Sequence, residues 1–419
     1  MTLAYPKVSV IGLGYVGLPT AATLASRGVQ VVGVDKSPAV VDRINLGQTH
    51  IVEPDLDAVV QTVVRNGRLR ATLTPEPADA FLIAVPTPIR EDNSPEMAMV
   101  ESAIAAIAPV LKKGDLVIIE STSPVGTTER AEAQLKALRP DLVFPKDAPN
   151  KADVLMAYCP ERVLPGRTLK ELVENARLVG GLDEVSSAAA KRLYQTFVKG
   201  DIRETHARVA EMSKLSENAF RDVNVAFANE LSLACDALDV DVWKVIELAN
   251  LHPRVNILWP GAGVGGHCIP IDPWFIHHAA PHCTPLIRTA REVNLGKTDW
   301  VVQQIQQNAR LYENPRVALL GLAYKPDIDD LRESPAMHVA AAVARQEWLG
   351  KLNVVEPHIE QLPKPLDGNN KVALLPLDEA LETSDVIALL VSHSAFLGIR
   401  RDSLRGKSVI DTSGALRAA

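Results

Sequence analysis

The sequence has few aromatic residues and few cysteines, and it contains no long apolar run. Aromatic residues make up 4% of the 419 positions, and no Cys-x-x-Cys pair occurs among the four cysteines, Cys159, Cys235, Cys268 and Cys283. This cysteine usage excludes a disulfide scaffold and favours a reducing cytoplasm. No segment approaches the roughly 20 apolar residues of a membrane helix, and no secretory signal pattern opens the chain, so we expect a soluble protein without membrane contact.

The chain also lacks an excess of positive charge. Its 44 Lys and Arg face 51 Asp and Glu, a net charge of −7. A broad surface for nucleic acid is therefore excluded, and any phosphate contact must be local. Hydrophobic residues at 47% and charged residues at 23% are typical of compact globular proteins. At about 150 residues per domain, the length predicts roughly three domains.

The first half of the chain predicts a parallel sheet covered by helices. A β-branched run over Lys7–Ile11 is followed by a helical pattern and by a second run over Val31–Val34, which is a β-α-β signature. Further apolar strands are predicted at Phe81–Val85, Leu116–Ile119 and Leu155–Tyr158, with helical stretches between them. This alternation continues to about residue 205.

The middle of the chain predicts helices. Apolar residues recur at spacings of three and four between Ala210 and Leu238, which indicates one long, largely buried helix. A second helix is expected from Asp241, as N-cap, to Asn250. A Gly-rich loop then spans Pro260 to Pro273.

The β-α alternation restarts after a helical stretch around Trp300. Ser334 and Pro335 are a typical helix start, and strands are predicted at Val317–Leu320, Asn353–Val355, Val386–Val391 and Ser408–Ile410. The fold class is therefore α/β, with two Rossmann-like doubly wound domains joined by a central helical region. We expect the boundaries 1–205, 206–305 and 306–419.

A dinucleotide fingerprint lies in the first β-α-β unit. Gly12, Gly14 and Gly17 form G-x-G-x-x-G between a predicted strand and helix, and Asp35 closes the next strand. The glycines permit a tight turn and close approach to a pyrophosphate, and the acid can bind a ribose 2′-hydroxyl. Because a carboxylate repels a 2′-phosphate, Asp35 favours NAD over NADP. The alternative is a Gly-rich turn without a ligand.

The second α/β domain opens differently. Its GLAYKPDIDDLRESPA has one glycine where the fingerprint needs three, so a second dinucleotide site is not expected. Lys325 and Arg332 in this segment are candidates for gripping phosphate. The alternative is a solvated charged loop.

Cys268 is the candidate nucleophile. It follows four glycines and precedes Asp272 by four residues, a setting in which a tight backbone can display a thiol near a carboxylate. The alternative is a small buried side chain. Cys235 lies in an apolar helix and is expected to pack, whereas the roles of Cys159 and Cys283 stay open.

Lys214 and Asn218 are spaced i, i+4 and share one face of the long helix. Lys214 can pair with Glu211 or Glu217, or it can lower a thiol pKa and, with Asn218, stabilise an oxyanion. A second cluster, His267, His277, His278, His282 and Cys283, does not match the spacing of a closed tetrahedral site, so no metal is predicted.

The order of the motifs resembles a known family. The chain reads GLGYVGLP, VPTP, STSPVGTT, CPERVLPG, EMSKLSENAFRDVN, GVGGHCIPIDP and GLAYKPDIDDLRESPA. This series is similar to that of the UDP-glucose/GDP-mannose dehydrogenase family over essentially the whole length. The wording of CPERVLPG, GVGGHCIPIDPWFI, RTAREVN and DLRESPAM is most similar to members that act on UDP-N-acetyl-D-mannosamine.

The resemblance implies two successive NAD-dependent oxidations at C6 of a UDP-sugar, through a cysteine thiohemiacetal and thioester, supplying surface polysaccharide synthesis. Cys268 would be the nucleophile, and Lys214 with Asn218 would stabilise the oxyanion. Asp272 would act as a base or orient water. Thr122 would position water. Glu161 would transfer protons during thioester hydrolysis.

The resemblance also implies binding residues. Those for NAD are Gly12, Gly14, Tyr15, Val16, Gly17, Asp35, Thr87, Thr122, Lys325 and Arg332. Those for the substrate are Glu161, Arg162, Lys214, Asn218, Arg254, Gly265 and Lys325. Arg254 would serve the neighbouring subunit of a homodimer formed by the middle helices, and the C-terminal domain would hold UDP. Pro165 stands where many UDP-glucose relatives have a second Glu, which is typical of the N-acetylhexosamine branch.

Three alternatives stay open at this point. The same chemistry could act on UDP-N-acetylglucosamine or UDP-glucose. A simple two-electron dehydrogenase of the hydroxyacid type would share the first domain, but it would need neither the thiol nor a third domain. A nucleotide-binding regulatory protein without turnover is disfavoured because Cys268, Lys214, Asn218, Asp272 and Glu161 are all present.

Overall fold

A computed structural model describes residues 3–163 and 166–418 of the chain. Pro165, the position of the missing second Glu, lies outside the described residues. The chain divides into two compact units, Met1–Glu217 with His278–Ala280, and Asn218–His277 with Pro281–Ala419. No described helix is both long and apolar enough to span a bilayer.

The first unit is built on an eight-stranded sheet. Its strands are β1 (Lys7–Ile11), β2 (Gln30–Val34), β3 (Leu69–Thr72), β4 (Ala80–Ile83), β5 (Leu116–Ile119), β6 (Leu155–Tyr158), β7 (Arg177–Gly181) and β8 (Ile202–His206). Their spatial order is β3-β2-β1-β4-β5-β6-β7-β8, and every described pairing is parallel except that of β6 with β7. The order reverses between β1 and β4, where doubly wound folds bind ligands.

Helices cover both faces of this sheet. They are α1 (Gly17–Ser26), α2 (Pro38–Asn45), α3 (Leu56–Arg65), α4 (Ala98–Ile107), α5 (Thr127–Leu138), α6 (Thr168–Glu174) and α7 (Glu184–Tyr194). Two apolar clusters lie on opposite faces of the strands, so central strands such as β4 are buried throughout. The strand that was predicted to end at Val85 ends instead at Ile83. There, the Ser121 hydroxyl donates to the carbonyl oxygens of Ile83 and Val85.

The long central helix, α8 (Ala207–Ala237), is present as expected, but its predicted apolar burial is wrong. Part of the predicted stripe faces solvent, with Met212, Phe220 and Phe227 exposed at 42%, 69% and 55%. The buried positions include six polar residues, Glu211, Lys214, Asn218, Asp222, Asn229 and Ser232. The spacing of apolar residues could not show which face of α8 is buried, because the helix carries both a polar and an apolar face.

The second unit contains a five-stranded sheet. Its strands are β9 (Arg316–Leu320), β10 (Lys351–Val355), β11 (Val372–Leu374), β12 (Val386–Leu389) and β13 (Ser408–Asp411), in the order β11-β10-β9-β12-β13 and all parallel. The sequence pattern missed β11, which has only three residues. The strand predicted to reach Val391 ends at Leu389, where the Thr412 hydroxyl donates to the carbonyl oxygen of Leu389.

The remaining helices are α9 (Val242–Ala249), α10 (Asp272–Ala279), α11 (Pro285–Ala309), α12 (Pro335–Ala344) and α13 (Leu377–Thr383). Two predicted N-caps are confirmed. The Asp241 carboxylate accepts from the amides of Trp243 and Lys244, and the Ser334 hydroxyl accepts from the amide of Met337. The fold class predicted from the sequence is confirmed as a mixed α/β fold with parallel sheets.

Candidate active site

The turn after β1 has the shape that a dinucleotide requires. Gly12 has φ +92°, and a methyl group built on Gly17 would lie 1.8 Å from the carbonyl oxygen of Gly12. The turn therefore tolerates no side chain at either position. A methyl group on Gly14 would meet nothing within 4 Å, so the backbone there is open to a ligand.

Asp35 stands at the end of β2, facing this turn. Its carboxylate accepts from the amide of Leu13 at 3.1 Å and from the amide of Ser37 at 2.9 Å. Helix α1 begins at Gly17, and the preceding residue, Val16, provides no side-chain cap. The amide of Leu18 donates to the carbonyl oxygen of Gly14 and Pro19 has no amide hydrogen, so within the described residues the amide of Gly17 is left for an anionic ligand. The open backbone at Gly14, the uncapped start of α1 and the position of the Asp35 carboxylate together fit NAD.

Two threonines meet beyond the ends of β4 and β5. The Thr87 hydroxyl donates to the carbonyl oxygen of Thr122 at 2.6 Å, and both residues are partly buried. Since the carboxyl ends of parallel strands share one edge of the sheet, this pair lies on the same edge as the glycine turn. Tyr15, on that turn, is 46% exposed.

Glu161 and Lys214 influence each other electrostatically. Burial raises the pKa of the Glu161 carboxyl, and the charges of Lys214 and Arg177 oppose that rise. Lys214 is buried, with 7% of its surface exposed, and it has no hydrogen bond or ion pair among the described residues. Apart from the charge of Glu161, this buried ammonium has no partner among the described residues, which leaves it available to a ligand or intermediate.

The alternative in which Lys214 pairs with a helix neighbour is wrong. Glu211 accepts instead from the amides of Gly126 and Thr128, at 2.6 and 2.9 Å. Glu217 forms an ion pair with Arg162, with 2.6 Å between Oε1 and Nη2. Arg162, a predicted substrate residue, is therefore already held by a carboxylate.

A buried charged cluster that the sequence did not reveal lies behind Glu161. Arg177 is 3.5 Å from Glu120, its Nη1 lies 3.8 Å from the sulfur of Cys159, and its guanidinium sits over the ring of Tyr194. Tyr194 donates to Glu120 at 2.6 Å. Burial raises the pKa of the Cys159 thiol to about 11, so this cysteine is not a nucleophile at neutral pH. No local pattern links residues from four separate segments, so sequence reasoning had no signal for it.

The second unit joins three of the predicted catalytic residues. The Asn218 amide donates to Asp272 Oδ2 at 2.6 Å, and both side chains are buried. Asp272 is the first residue of α10, and its amide donates to the carbonyl oxygen of Cys268 at 2.9 Å. Cys268 is exposed and forms no disulfide, so the alternative of a buried packing residue is wrong. Cys235 is buried, as predicted, and Cys283 is exposed.

The glycines before Cys268 are explained by close packing within the second unit. A methyl group on Gly265 would lie 2.6 Å from the carbonyl oxygen of Glu333 and 2.9 Å from Cβ of Tyr324. Gly266 has φ +91°, and a methyl group there would lie 3.0 Å from the Tyr324 ring. The Gly-rich loop from Pro260 to Pro273, called the nucleophile loop below after its candidate nucleophile, therefore packs on the loop that carries Lys325.

The predicted phosphate-binding residues have different surroundings. The Lys325 ammonium has no hydrogen bond or ion pair within the described part of the chain, and it lies 5.8 Å from the centre of the Tyr324 ring. Arg332 is paired with Asp330, with 2.8 Å between Nη2 and Oδ2. Asp330 also lies 3.4 Å from Nε2 of His267.

Arg254 is exposed in the turn after α9, and its guanidinium forms no hydrogen bond or ion pair with the described residues. The histidines first considered for a metal are not gathered around one point, and His277 bonds to Thr284 at 2.9 Å. The described residues contain one group with ligand atoms within 4.8 Å of one another, Asp327, His358 and His393. Both ring nitrogens of His393 already have protein partners.

Known proteins with this sequence pattern are dehydrogenases. The chain is 56% identical to the NDP-N-acetyl-D-galactosaminuronic acid dehydrogenase of Ralstonia nicotianae, over 98% of this chain and 96% of the relative. It is 54% identical to the UDP-N-acetyl-D-mannosamine dehydrogenase of Escherichia coli, over 99% and 100%. The solved structure of the UDP-D-ManNAc dehydrogenase from Pyrococcus horikoshii superposes with a TM-score of 0.87 at 37% identity, covering 98% of this chain and 96% of that one.

Three domains of one family match successive parts of the chain. The NAD-binding domain of the UDP-glucose/GDP-mannose dehydrogenase family matches residues 6–198, its central domain 208–295 and its UDP-binding domain 318–418. The first match contains the glycine turn and Asp35, and the last contains Lys325. The chain therefore belongs to the UDP-glucose/GDP-mannose dehydrogenase family and is an NAD-dependent UDP-sugar dehydrogenase.

Proposed function

We propose that the protein oxidises UDP-N-acetyl-D-mannosamine at C6 by four electrons, yielding UDP-N-acetyl-D-mannosaminuronic acid through a thiohemiacetal and a thioester on Cys268. One observation supports this mechanism most directly. The exposed thiol of Cys268 lies one turn before the buried carboxylate of Asp272, which accepts a hydrogen bond from Asn218. The relatives named for UDP-N-acetyl-D-mannosamine, at 54% identity over nearly the whole chain, support the sugar.

The first unit supplies the hydride acceptor. NAD, when bound, takes up the hydride of each oxidation. The backbone of Gly12, Gly14 and Gly17 with the start of α1 would hold its pyrophosphate, and Asp35 would bind a ribose hydroxyl. Tyr15, Val16, Thr87 and Thr122 complete this proposed set at the same sheet edge.

Cys268 performs the covalent step. Its sulfur adds to the C6 aldehyde, and the resulting thiohemiacetal carries the hydrogen that the second oxidation removes, leaving a thioester. Asn218 keeps one amide hydrogen for the developing oxyanion, since the other is donated to Asp272. Lys214 adds positive charge to the same end, since its buried ammonium forms no hydrogen bond or ion pair with the described residues.

Water then cleaves the thioester and frees Cys268. Glu161 is proposed to take the proton of that water, because burial raises the pKa of its carboxyl towards the range of a general base. Thr122 and Asp272 would orient the water. The proton that the base accepts is returned to solvent as the carboxylate product forms.

The substrate's nucleotide is assigned to the second unit. Lys325 would bind the phosphates as a point charge. Arg332, which is paired with Asp330, stays a prediction for the same phosphates. Gly265 would bring backbone close to the sugar, and Arg162 would contact it. Arg332 and Lys325 also stay predictions for contacts to the cofactor.

The organisation of the enzyme follows the family domains. We assign NAD binding to residues 1–205, catalysis and dimer formation to 206–305, and UDP-sugar binding to 306–419. The exposed stripe of Met212, Phe220 and Phe227 on α8 supports a homodimer, in which Arg254 would reach the neighbouring subunit's substrate. The absence of disulfides among the described cysteines supports a cytoplasmic enzyme, whose activated uronic acid would supply surface polysaccharide synthesis.

A second sugar is favoured by one observation. The Ralstonia relative, at 56% identity, is named for an N-acetyl-D-galactosaminuronic acid. The two hexosamines differ in the orientation of ring substituents, which pocket shape distinguishes. UDP-N-acetylglucosamine and UDP-glucose remain alternatives of the same chemistry.

A limiting-substrate titration tests the proposal. Each UDP-N-acetylmannosamine should yield two NADH and a carboxylate product, with UDP-N-acetylgalactosamine, UDP-N-acetylglucosamine and UDP-glucose as parallel arms. One NADH per sugar, with an aldehyde or ketone product by mass, would favour a simple two-electron dehydrogenase. Binding of NAD and UDP-sugars without any NADH would favour a regulatory protein.

A further inference from the structure

The turn after β9 repeats the turn after β1. Gly321 has φ +91°, and its amide donates to the carbonyl oxygen of Val355 at 2.8 Å. Gly12 has φ +92°, and its amide donates to the carbonyl oxygen of Val34 at the same distance. The two Rossmann-like folds thus begin with the same backbone turn, although only the first carries the full glycine pattern.

The acidic residue after the second strand is also repeated. Glu356 accepts from the amide of Leu322 at 2.7 Å, as Asp35 accepts from that of Leu13 at 3.1 Å. Each acid also accepts from the amide two positions later in the chain. Glu356 is therefore the structural counterpart of the acid that we assign to the NAD ribose.

Glu356 differs from Asp35 because its carboxylate is buried and three protein donors converge on one of its oxygens, Oε2. It is 4% exposed, and it also bonds to the amide of Ala323 at 3.1 Å and to Nε2 of His393 at 3.0 Å. Burial opposes its charge, yet the hydrogen bonds from His393 and Leu322 hold its pKa below the ordinary value. A ribose hydroxyl would find no open position on this acid.

His393 links Glu356 to the far end of the loop. Its ring is fully buried, and Nδ1 lies 2.9 Å from the amide nitrogen of Asp327. Because that amide can only donate, Nδ1 accepts, and Nε2 carries the proton donated to Glu356. Asp327 has φ +59°, and its carboxylate accepts from the amide and hydroxyl of Ser394 at 2.8 and 2.6 Å.

The consequence is a loop that is held on both sides of Lys325. Glu356 holds the amides of Leu322 and Ala323 before it, and His393 holds the amide of Asp327 after it. Between these points, Tyr324 packs on Gly265 and Gly266 of the nucleophile loop. The ammonium of Lys325 stays without an ion pair in the described residues.

We propose that Glu356 and His393 are positioning residues that fix the backbone on both sides of Lys325 and thereby set the affinity for the UDP moiety of the substrate. The proposal rests on the proposed function, in which Lys325 binds nucleotide phosphate. The His393 ring occupies the position beside Glu356 that a ribose would need. The second fold therefore has a fixed phosphate-binding loop instead of a dinucleotide site.

The test measures UDP binding by calorimetry, in EDTA, for the wild type and variants of His393. His393→Phe removes both hydrogen bonds, including the one that holds the amide of Asp327, so UDP should bind about tenfold or more weakly. His393→Asn offers an oxygen near the position of Nδ1 and should recover most of the loss, whereas His393→Gln should not. The KM for the UDP-sugar should rise in parallel, with kcat at saturation nearly unchanged.

Two further variants control the experiment. His358→Phe alters the neighbouring ring, 5.0 Å from His393, but leaves both loop contacts in place, so UDP affinity should not change. Ser394→Ala changes an exposed residue and removes one bond to Asp327, so it should weaken UDP a few-fold even if the His393 variants fold poorly.

Unchanged UDP affinity in a folded His393→Phe protein, or in Ser394→Ala, would overturn the proposal. Equal losses in the Asn and Phe variants would also overturn it, because they indicate general disruption. Failure of the proposed function looks different. The wild type would then bind UDP normally without releasing NADH from UDP-N-acetylmannosamine.

Discussion

Asn218 and Asp272, 54 positions apart in the sequence, share a hydrogen bond of 2.6 Å between buried side chains. The bond fixes the amide so that its nitrogen faces Asp272 and its second hydrogen is left for another acceptor. It also ties α8 to the first residue of α10, which follows Cys268 by four positions. The oxyanion donor and the nucleophile loop are therefore held by one contact.

Asn218→Asp should inactivate the oxidation steps. The new carboxylate would face that of Asp272 across a hydrogen-bond distance, and it would offer an acceptor where the oxyanion needs a donor. Loss of one such donor typically lowers kcat by about 10² to 10³. Steady-state NADH release from saturating UDP-sugar measures the loss.

The reciprocal double variant, Asn218→Asp with Asp272→Asn, provides the control. It restores a hydrogen bond between the two positions with its direction reversed, so thermal stability should recover while kcat stays low. Recovery of kcat together with stability would show that the pair is only structural.

Glu161→Gln should separate oxidation from hydrolysis. The variant keeps the thiol and the hydride acceptor, but the water that attacks the thioester loses its base, typically worth about 10² to 10⁴ in rate. The sugar should then accumulate on Cys268 and be visible by intact-protein mass spectrometry. Cys268→Ala should form no adduct, and an adduct mapped to Cys283 would contradict the assignment of the nucleophile.

The sequence predicted the parts of the site that depend on local order. The glycine turn, Asp35 at the end of β2, and the caps of α9 and α12 follow from residues adjacent in the chain, and each has its expected backbone geometry or partner. Strand ends were placed less well at β4 and β12, where amides and hydroxyls of distant segments bond to the last carbonyl oxygens.

Relationships across long sequence separations could not be predicted from the residues. The polar burial of α8, the cluster of Arg177 behind Glu161, and the counterpart relation of Glu356 to Asp35 each depend on tertiary packing. The helical periodicity of α8 was recognised correctly. However, its buried polar residues are spaced by the same three and four positions as a buried apolar stripe would be. Only the fold shows which side is covered.

Asp35→Ser should narrow the preference for NAD over NADP. The variant removes the negative charge that would repel a 2′-phosphate, so kcat/KM for NADP should rise relative to that for NAD. Glu356→Gln is the matched control, because Glu356 has the same position in the second fold and no proposed contact to NAD. Equal use of both cofactors by the wild type would contradict the role of Asp35.

The pH dependence of hydrolysis should show an acid limb above the ordinary pKa of a glutamate, because burial raises the pKa of Glu161. The base works only when ionised, so the rate increases as pH rises through that pKa. Lys214 opposes the rise, and Lys214→Gln should therefore move the limb to higher pH. Single-turnover decay of the Cys268 adduct between pH 5 and 9 measures it, and a limb that stays in place would exclude the coupling.

Lys297 should destabilise the fold at neutral pH. It lies on α11, 3% exposed, and its ammonium donates to Ser232 at 2.8 Å and lies 3.7 Å from the centre of the Trp300 ring. Burial lowers its pKa to about 8, against an opposing effect of Asp236. Below pH 8 the folded state must carry a charge that the unfolded state hydrates better.

Lys297→Met should therefore raise the melting temperature at pH 7. The unfolded chain holds the proton up to about pH 10.5 and the folded chain only to about 8, so wild-type stability rises between these values. At 1.36 kcal/mol for each pKa unit, the advantage of the variant is on the order of 3 kcal/mol at pH 7 and should vanish near pH 10.5. Lys170→Met, at an exposed position, is the control and should change stability little at either pH. A lower melting temperature for Lys297→Met at pH 7 would show that the bonds to Ser232 and Trp300 outweigh the burial of the charge.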